Sequence, residues 1–253
     1  MRPAAPLVKA FAAPWFRLDW RTGAWLLVAF SLLRFALVMH ANVTRSYQVV
    51  ALIFVAMVLL PFLVLTRAGR QQIGLRWPAR WRGVLLGAVL GALSCAVLFY
   101  LTTLCFGLGE GNSLAYIAQS YSNLPPVLTE QNRLMYFLIF TGPSMIFSPI
   151  GEELFYRGLV HECFASSIGD GKASLADSAA FALVHLAHFG LVYVAGGWQL
   201  LPGPALLWAV SLFGACLLFS VACRQSSSVL GAVVAHAAFN LAMNYFIFCH
   251  ILR

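Results

Sequence analysis

Along this chain apolar residues gather into seven long runs separated by short polar stretches. The runs fall near 23–40, 48–65, 83–106, 134–160, 174–195, 204–223 and 228–250. Each approaches the roughly 20 residues that an α-helix needs to cross a bilayer's hydrocarbon core. In lipid every backbone N–H and C=O must find an internal partner, so such runs predict helices. The expected fold is all-α: a polytopic transmembrane bundle of about seven spans. It forms a single integral-membrane domain over 1–253, with a motif-bearing core at about 134–250. An eighth segment stays open. Between the third and fourth runs, "NSLAYIAQSYSNL" sets Leu114, Ile117, Tyr121 and Leu124 at helical spacing. That spacing predicts a helix lying flat on the membrane surface. The first twenty residues, broken by prolines and rich in Trp and Phe, predict an interfacial lead-in and not a cleaved signal.

Composition narrows the class. Of 253 residues, 61% are hydrophobic and 9% charged, whereas a soluble domain carries about 25% charged residues. A net charge of +8 raises the possibility of nucleic acid, but the cations flank the apolar runs, where they set topology instead. Arg2, Lys9, Arg17, Arg21, Arg67, Arg70, Arg76, Arg80, Arg82, Arg157, Lys172 and Arg224 fall on one side of the alternating spans. Arg45, Arg133 and Arg253 fall on the other. This bias predicts a cytosolic N-terminus and a C-terminus outside. Short loops and an Ala/Leu/Arg-rich composition suggest a bacterial inner membrane. The expected surroundings are the lipid bilayer, with no nucleic acid. The six cysteines are scattered through apolar segments with no C-x-x-C pair. They predict buried thiols, not a disulfide framework or a metal site.

A charge in the hydrocarbon core costs several kcal/mol, so each ionisable residue there needs a reason. Arg34 lies six residues from His40, about 9 Å along a helix, and its spacing predicts a structural residue that snorkels outward. His250, at the outer end of the last run, is expected at the interface. Three places remain: "GEELFYR" with Glu152, Glu153 and Arg157; "FALVHLAH" with His185 and His188; and "HAAFN" with His236 and Asn240. Glu153 and Arg157 are four apart and can pair on one helical face, while Glu152 is turned about 100° away and is left free. His236 and Asn240 also share a face. Ser174 and Asp177 form an S-x-x-D capping signature that predicts the cytosolic start of the fifth span. His185 would then lie about 16 Å in, and His236 about 12 Å in from a cap at Ser228. Gly142, Pro143 and Pro149 predict a kinked fourth span.

Taken singly, each feature has a plain structural explanation. E-E-x-x-x-R on a membrane helix is as often a mere ion pair, and a lone intramembrane His more often bonds a neighbouring helix than catalyses. Three such features on three spans at compatible depth are harder to explain structurally.

"EELFYR", "FALVH" and "HAAFN" resemble, in order and spacing, the E-E-x-x-x-R, F-x-x-x-H and H-x-x-x-N motifs of the CAAX protease and bacteriocin-processing family of intramembrane endopeptidases. That family includes the type II CAAX prenyl endopeptidase. The resemblance covers roughly 134–245. It implies hydrolysis of a peptide bond in a membrane-associated protein or peptide. It implies that Glu152 is the catalytic glutamate, His185 its partner in activating water, and His236 and Asn240 the polar pair for the oxyanion. Glu153 and Arg157 would be the supporting ion pair. It implies no metal cofactor, with zinc as the alternative, since two His with one or two Glu could bind it. The substrate stays open between a prenylated tail, a bacteriocin leader and a sorting tail. A non-catalytic immunity or scaffold protein of the same fold is a rival. A proton-coupled transporter is a weaker one, because no repeated halves appear in the sequence.

Overall fold

The computed structural model describes residues 6–44, 46–121, 124–125 and 127–252. Arg2, Arg45 and Arg253 from the charge pattern, and Ser122 and Asn123 from the Asn112–Leu124 stretch, lie outside the described residues. The long helices are α1 (Trp20–Thr44), α2 (Val50–Val64), then after a short α3 (Arg67–Gln72), α4 (Trp81–Phe106). After a short α5 (Ser113–Ala118) come α6 (Glu130–Glu153) and a π-helical stretch, Leu154–Val160, that leads straight into α7 (His161–Ile168). The chain returns as α8 (Asp170–Val184), ends it in a 3-10 turn at His185–Ala187, and makes a hairpin of β1 (Leu191–Val194) and β2 (Gly197–Leu200). It closes with α9 (Pro202–Ser226) and α10 (Val229–Phe246).

The molecule is an all-α polytopic membrane bundle. Five helical segments are long and apolar enough to cross a membrane, the longest running unbroken from Glu130 to Ile168. α2 and α8, at 15 residues each, extend about 22 Å and fall short of a full crossing. Pro143 and Pro149 both lie inside the continuous α6.

Three sequence expectations are corrected. The fifth span does not run to 195, because residues 191–200 pair as an antiparallel hairpin. Its turn residues Ala195 and Gly196 both have positive φ, 50° and 81°, as a two-residue type I′ loop requires. Ser174 and Asp177 do not cap a helix. α8 starts earlier, after Gly169 at φ 79°, and both side chains are buried within it. The apolar residues of the segment from Asn112 turn into the bundle and not toward lipid. Leu114 and Tyr116 are buried in the main apolar cluster, and Asn112 caps α5. Of the cysteines, Cys95, Cys163 and Cys216 are buried, but Cys105 is exposed along α4.

α10 is the central helix, packed against α4, α6 and α9. Small residues bring the backbones close. A Cβ at Gly91 would fall on the Ala235 carbonyl, and one at Gly87 would come within 2.7 Å of the Gly231 carbonyl. Such small-residue contacts are how membrane helices gain packing without a hydrophobic driving force between them. They fix α10, and hence His236 beside Ala235, at a definite height.

The two ends of the bundle differ. At one, backbone bonds tie the N-terminal segment to the α2–α3 junction (Lys9 N–H to Val64, Thr66 N–H to Leu7) and Ala79 to Ser226. Gln72 also reaches Glu162, 2.8 Å. This end carries Lys9, Arg17, Arg21, Arg67, Arg70, Arg76, Arg80, Arg82, Lys172 and Arg224. At the other, Asn42 donates to Ala187, Arg133 to Phe248 and Tyr193 N–H to Tyr116. Arg133 is the only Lys or Arg at that end among the described residues.

Candidate active site

The 3-10 turn that ends α8 sets the first part of the site. With three residues per turn it lines up positions i and i+3, so His185 and His188 stack, ring centres 5.4 Å apart. His185 also stacks on Phe181, one helical turn back, at 4.1 Å. Its Nδ1 lies 2.6 Å from the Phe181 carbonyl, which can only accept. That fixes the proton on Nδ1 and leaves Nε2 as an acceptor.

Arg34 takes that acceptor. Its Nη2 lies 2.9 Å from His185 Nε2 and 3.4 Å from His188 Nε2. The 3.3 Å approach of Nη1 to His185 Nδ1 then sets donor against donor and is a contact only. The same Nη2 lies 2.6 Å from Glu152 Oε1. No N–H points along that line, since Oε1 has no aligned hydrogen-bond partner. The Arg34–Glu152 attraction is therefore Coulombic at close range. The expectation of an outward-snorkelling Arg34 is overturned. The side chain is 2% exposed and faces the bundle interior, because α1 continues to Thr44 and leaves Arg34 about 15 Å from its end.

The fourth span supplies both carboxylates, and both are fully buried. Glu152 is not left free, as its turn away from Glu153 predicts. Beyond Arg34 on Oε1, its Oε2 accepts from Ser148 Oγ at 2.7 Å. Glu153 Oε2 lies 3.2 Å from Arg157 Nε, as the four-residue spacing predicts, and its Oε1 lies 2.8 Å from His236 Nδ1. A carboxylate accepts, so His236 donates from Nδ1 and turns Nε2 toward Glu152 Oε2, 3.8 Å away. His236 thus bridges the two glutamates through opposite ring nitrogens. His185 Nε2 stands 3.9 Å from Glu152 Oε1.

Behind Glu153 lies a second polar layer. Asp177 comes within 3.9 Å of Arg157 and lies 2.8 Å from His161 Nδ1. The Arg157 guanidinium sits over the Phe181 ring, 4.8 Å from its centre. The π-helical stretch seals this side, with all seven residues from Leu154 to Val160 buried. π segments recur at functional sites.

On the other side the site opens into a cavity of about 260 Å³. His185, His188, His236, Asn240 and Arg34 line it, with Ser144 and Ser148 of α6. Asn240 Nδ2 donates to the Ser144 carbonyl at 2.8 Å, which uses one of its two amide hydrogens. Asn244 continues the ladder, donating to Ser144 Oγ at 3.0 Å and accepting from Tyr121 at 2.8 Å. The structure therefore brings Glu152, Glu153, Arg157, His185 and His236 into one polar cluster and sets Asn240 on the same cavity wall. Sequence reasoning missed Arg34, Ser148, Ser144 and Asn244. Among the described residues, no three His, Cys, Asp or Glu side chains are arranged to hold a metal ion.

A comparison with curated proteins and one with solved structures each found no match. A family model does match, described as type II CAAX prenyl endopeptidase Rce1-like, over residues 131–242. The matched part carries both glutamates, Arg157, His185, His236 and Asn240, and excludes Arg34. Over residues 131–242, which hold every motif residue read from the sequence, the chain is similar to the type II CAAX prenyl endopeptidase Rce1-like family.

Proposed function

We propose that this membrane protein is a glutamate-type intramembrane endopeptidase in which Glu152 activates the attacking water. The observation that carries the reading is the contrast in what the two buried glutamates face. Glu153 Oε1 accepts from both His236 Nδ1 and Arg157 Nη1, and its Oε2 lies 3.2 Å from Arg157 Nε without an aligned hydrogen bond, so Glu153 faces the ion pair. Glu152 Oε2 keeps an open direction toward His236 Nε2, beside the cavity that His236 lines.

Two acceptors facing each other suit a water molecule that donates one hydrogen to each and turns a lone pair toward the cavity. As that water attacks a peptide carbonyl, its proton passes to Glu152 Oε2 and the new C–O bond pushes charge onto the carbonyl oxygen. The second amide hydrogen of Asn240 and the Arg34 cation stand on the same cavity to stabilise that oxyanion. When the C–N bond breaks, Glu152 returns the proton to the leaving amine. Glu153 orients His236 as a carboxylate orients the histidine of a hydrolytic triad. His185, its Nε2 held by Arg34, positions that cation instead of touching the water. This departs from the family-derived expectation of a Glu152–His185 water pair.

The reading needs no metal. What supports it is the Arg34 cation seated among Glu152, His185 and His188, where it would repel a divalent ion. The cation-rich end supports a cytosolic N-terminus and a C-terminus outside. The test is reconstitution in proteoliposomes with a membrane-associated peptide, followed by product sequencing. Hydrolysis by the wild type and none by Glu152→Ala is expected. Equal hydrolysis by both would overturn the assignment, and none by either would favour the scaffold reading.

A further inference from the structure

The cavity lined by His185, His236 and Asn240 runs toward one end of the bundle, while a separate cavity at the arginine-rich end meets Arg157 and His161 but none of those three. Between the two lie the π-helical stretch, buried from Leu154 to Val160, and the Arg157–Asp177–His161 layer. Toward the opposite end the first cavity climbs α6 from Ser148 through Ser144 to Phe140, about 12 Å along the helix axis. It climbs α10 in the same sense, from His236 past Asn240 to Met243. It ends among Ile117, Ser120 and Tyr121, on and just after α5, and Tyr47 before α2, the loops of the cation-poor end. Ser120 and Tyr121 are half-buried.

Ten Lys and Arg side chains stand at the arginine-rich end and one, Arg133, at the opposite end, among the described residues. An asymmetry of that size orients membrane proteins with the basic end in the cytosol. We infer that the active-site cavity opens to the extracytoplasmic side, so that its substrates are exported or membrane-anchored polypeptides presented from that side. This rests on the endopeptidase reading and adds the side and the substrate class. The lining adds selectivity. Phe140, Phe181, Phe219, Phe239, Trp208 and Leu212 give the wall an apolar side, and no acidic side chain lines it among the described residues. The segment that fits is extended and apolar. A charged cytosolic tail would have to cross the bilayer to reach the same wall.

Two arms test this. In the first, Ser120→Cys, at the cavity mouth and outside the catalytic cluster, and Lys172→Cys, at the arginine-rich end, are treated in intact cells with a membrane-impermeant maleimide. Wild type supplies the background from the native thiols. Labelling of Ser120→Cys before permeabilisation, and of Lys172→Cys only after it, is expected. The reverse pattern overturns the inference. In the second, oriented proteoliposomes receive the same anchored peptide with its apolar segment displayed either at the cation-poor face or at the cation-rich face. Cleavage of the first alone is expected, and cleavage of the second alone overturns the substrate claim. If neither is cleaved while labelling follows the expected pattern, the endopeptidase reading and the substrate claim fall, and the position of the mouth stands.

Discussion

Two glutamates one residue apart live in different chemical surroundings. Glu153 faces the closed half of the cluster, packed among Arg157, Asp177, His161 and His236, with its Oε2 and two Arg157 nitrogens held by charge and not by aligned hydrogen bonds. Glu152 faces the open half, where its partners are a misaligned guanidinium and one serine hydroxyl, with the cavity beyond. The difference separates two uses of buried charge. A buried ion pair fixes a structure, and removing one member leaves the other stranded. A carboxylate that borders a cavity can still take a proton from a molecule held there.

The sharpest way to break this comparison is to remove the ion-paired member. Glu153→Ala should destabilise the protein by about 3–5 kcal/mol, because Arg157 loses its closest counter-charge. A lowered Tm and lower abundance in the membrane fraction would show it. A Glu153→Ala protein as stable as wild type would mean that Asp177 alone holds Arg157. On the open side the largest effect after the base itself is expected from Asn240. Asn240→Ala should lower kcat about 10²-fold with little change in Tm, measured on a purified peptide substrate. An equal loss carried entirely by KM would make Asn240 a binding residue. A double-mutant cycle of Arg34→Met with Glu152→Gln should give a coupling in unfolding free energy of roughly 0.5–3 kcal/mol. Coupling near zero would mean that the close approach of Arg34 does not hold Glu152. The smallest effect is expected from chelators, which should leave turnover unchanged. Loss of activity with a chelator and its return with zinc would make the histidines ligands and remove Arg34 from the site.

The sequence carried much of the closed half. Four-residue spacing gave the Glu153–Arg157 pair, and the intramembrane position of the glutamates and histidines marked them as unusual. The open half was harder to read, for a geometric reason. Arg34 looks peripheral when the first span is taken to end near residue 40. The helix in fact continues to Thr44, which sets Arg34 well inside the helix and within reach of a histidine pair 151 and 154 residues away in the chain. No local pattern encodes that meeting. Asn244 and Ser144 were legible only in part. Asn244 repeats the four-residue step from His236 through Asn240, but its partners lie on α6 and beyond α5. The hairpin after His188 did leave a signal, a β-branched and aromatic "LVYV" followed by Ala-Gly-Gly. Its apolar character blended into the run before it. Asp177 shows how a correct motif can mislead: S-x-x-D describes a cap, yet this aspartate is drawn inward by Arg157 and His161.

The most direct test of the central claim compares the two conservative glutamine variants on one reconstituted membrane peptide, with products identified by mass and folding checked by Tm. Glu152→Gln should keep the wild-type Tm and lose roughly 10²–10⁴-fold in turnover, while Glu153→Gln should lose stability and retain more activity per folded molecule. A folded, active Glu152→Gln beside a folded, inactive Glu153→Gln would contradict the assignment and move the chemistry to the closed half of the site.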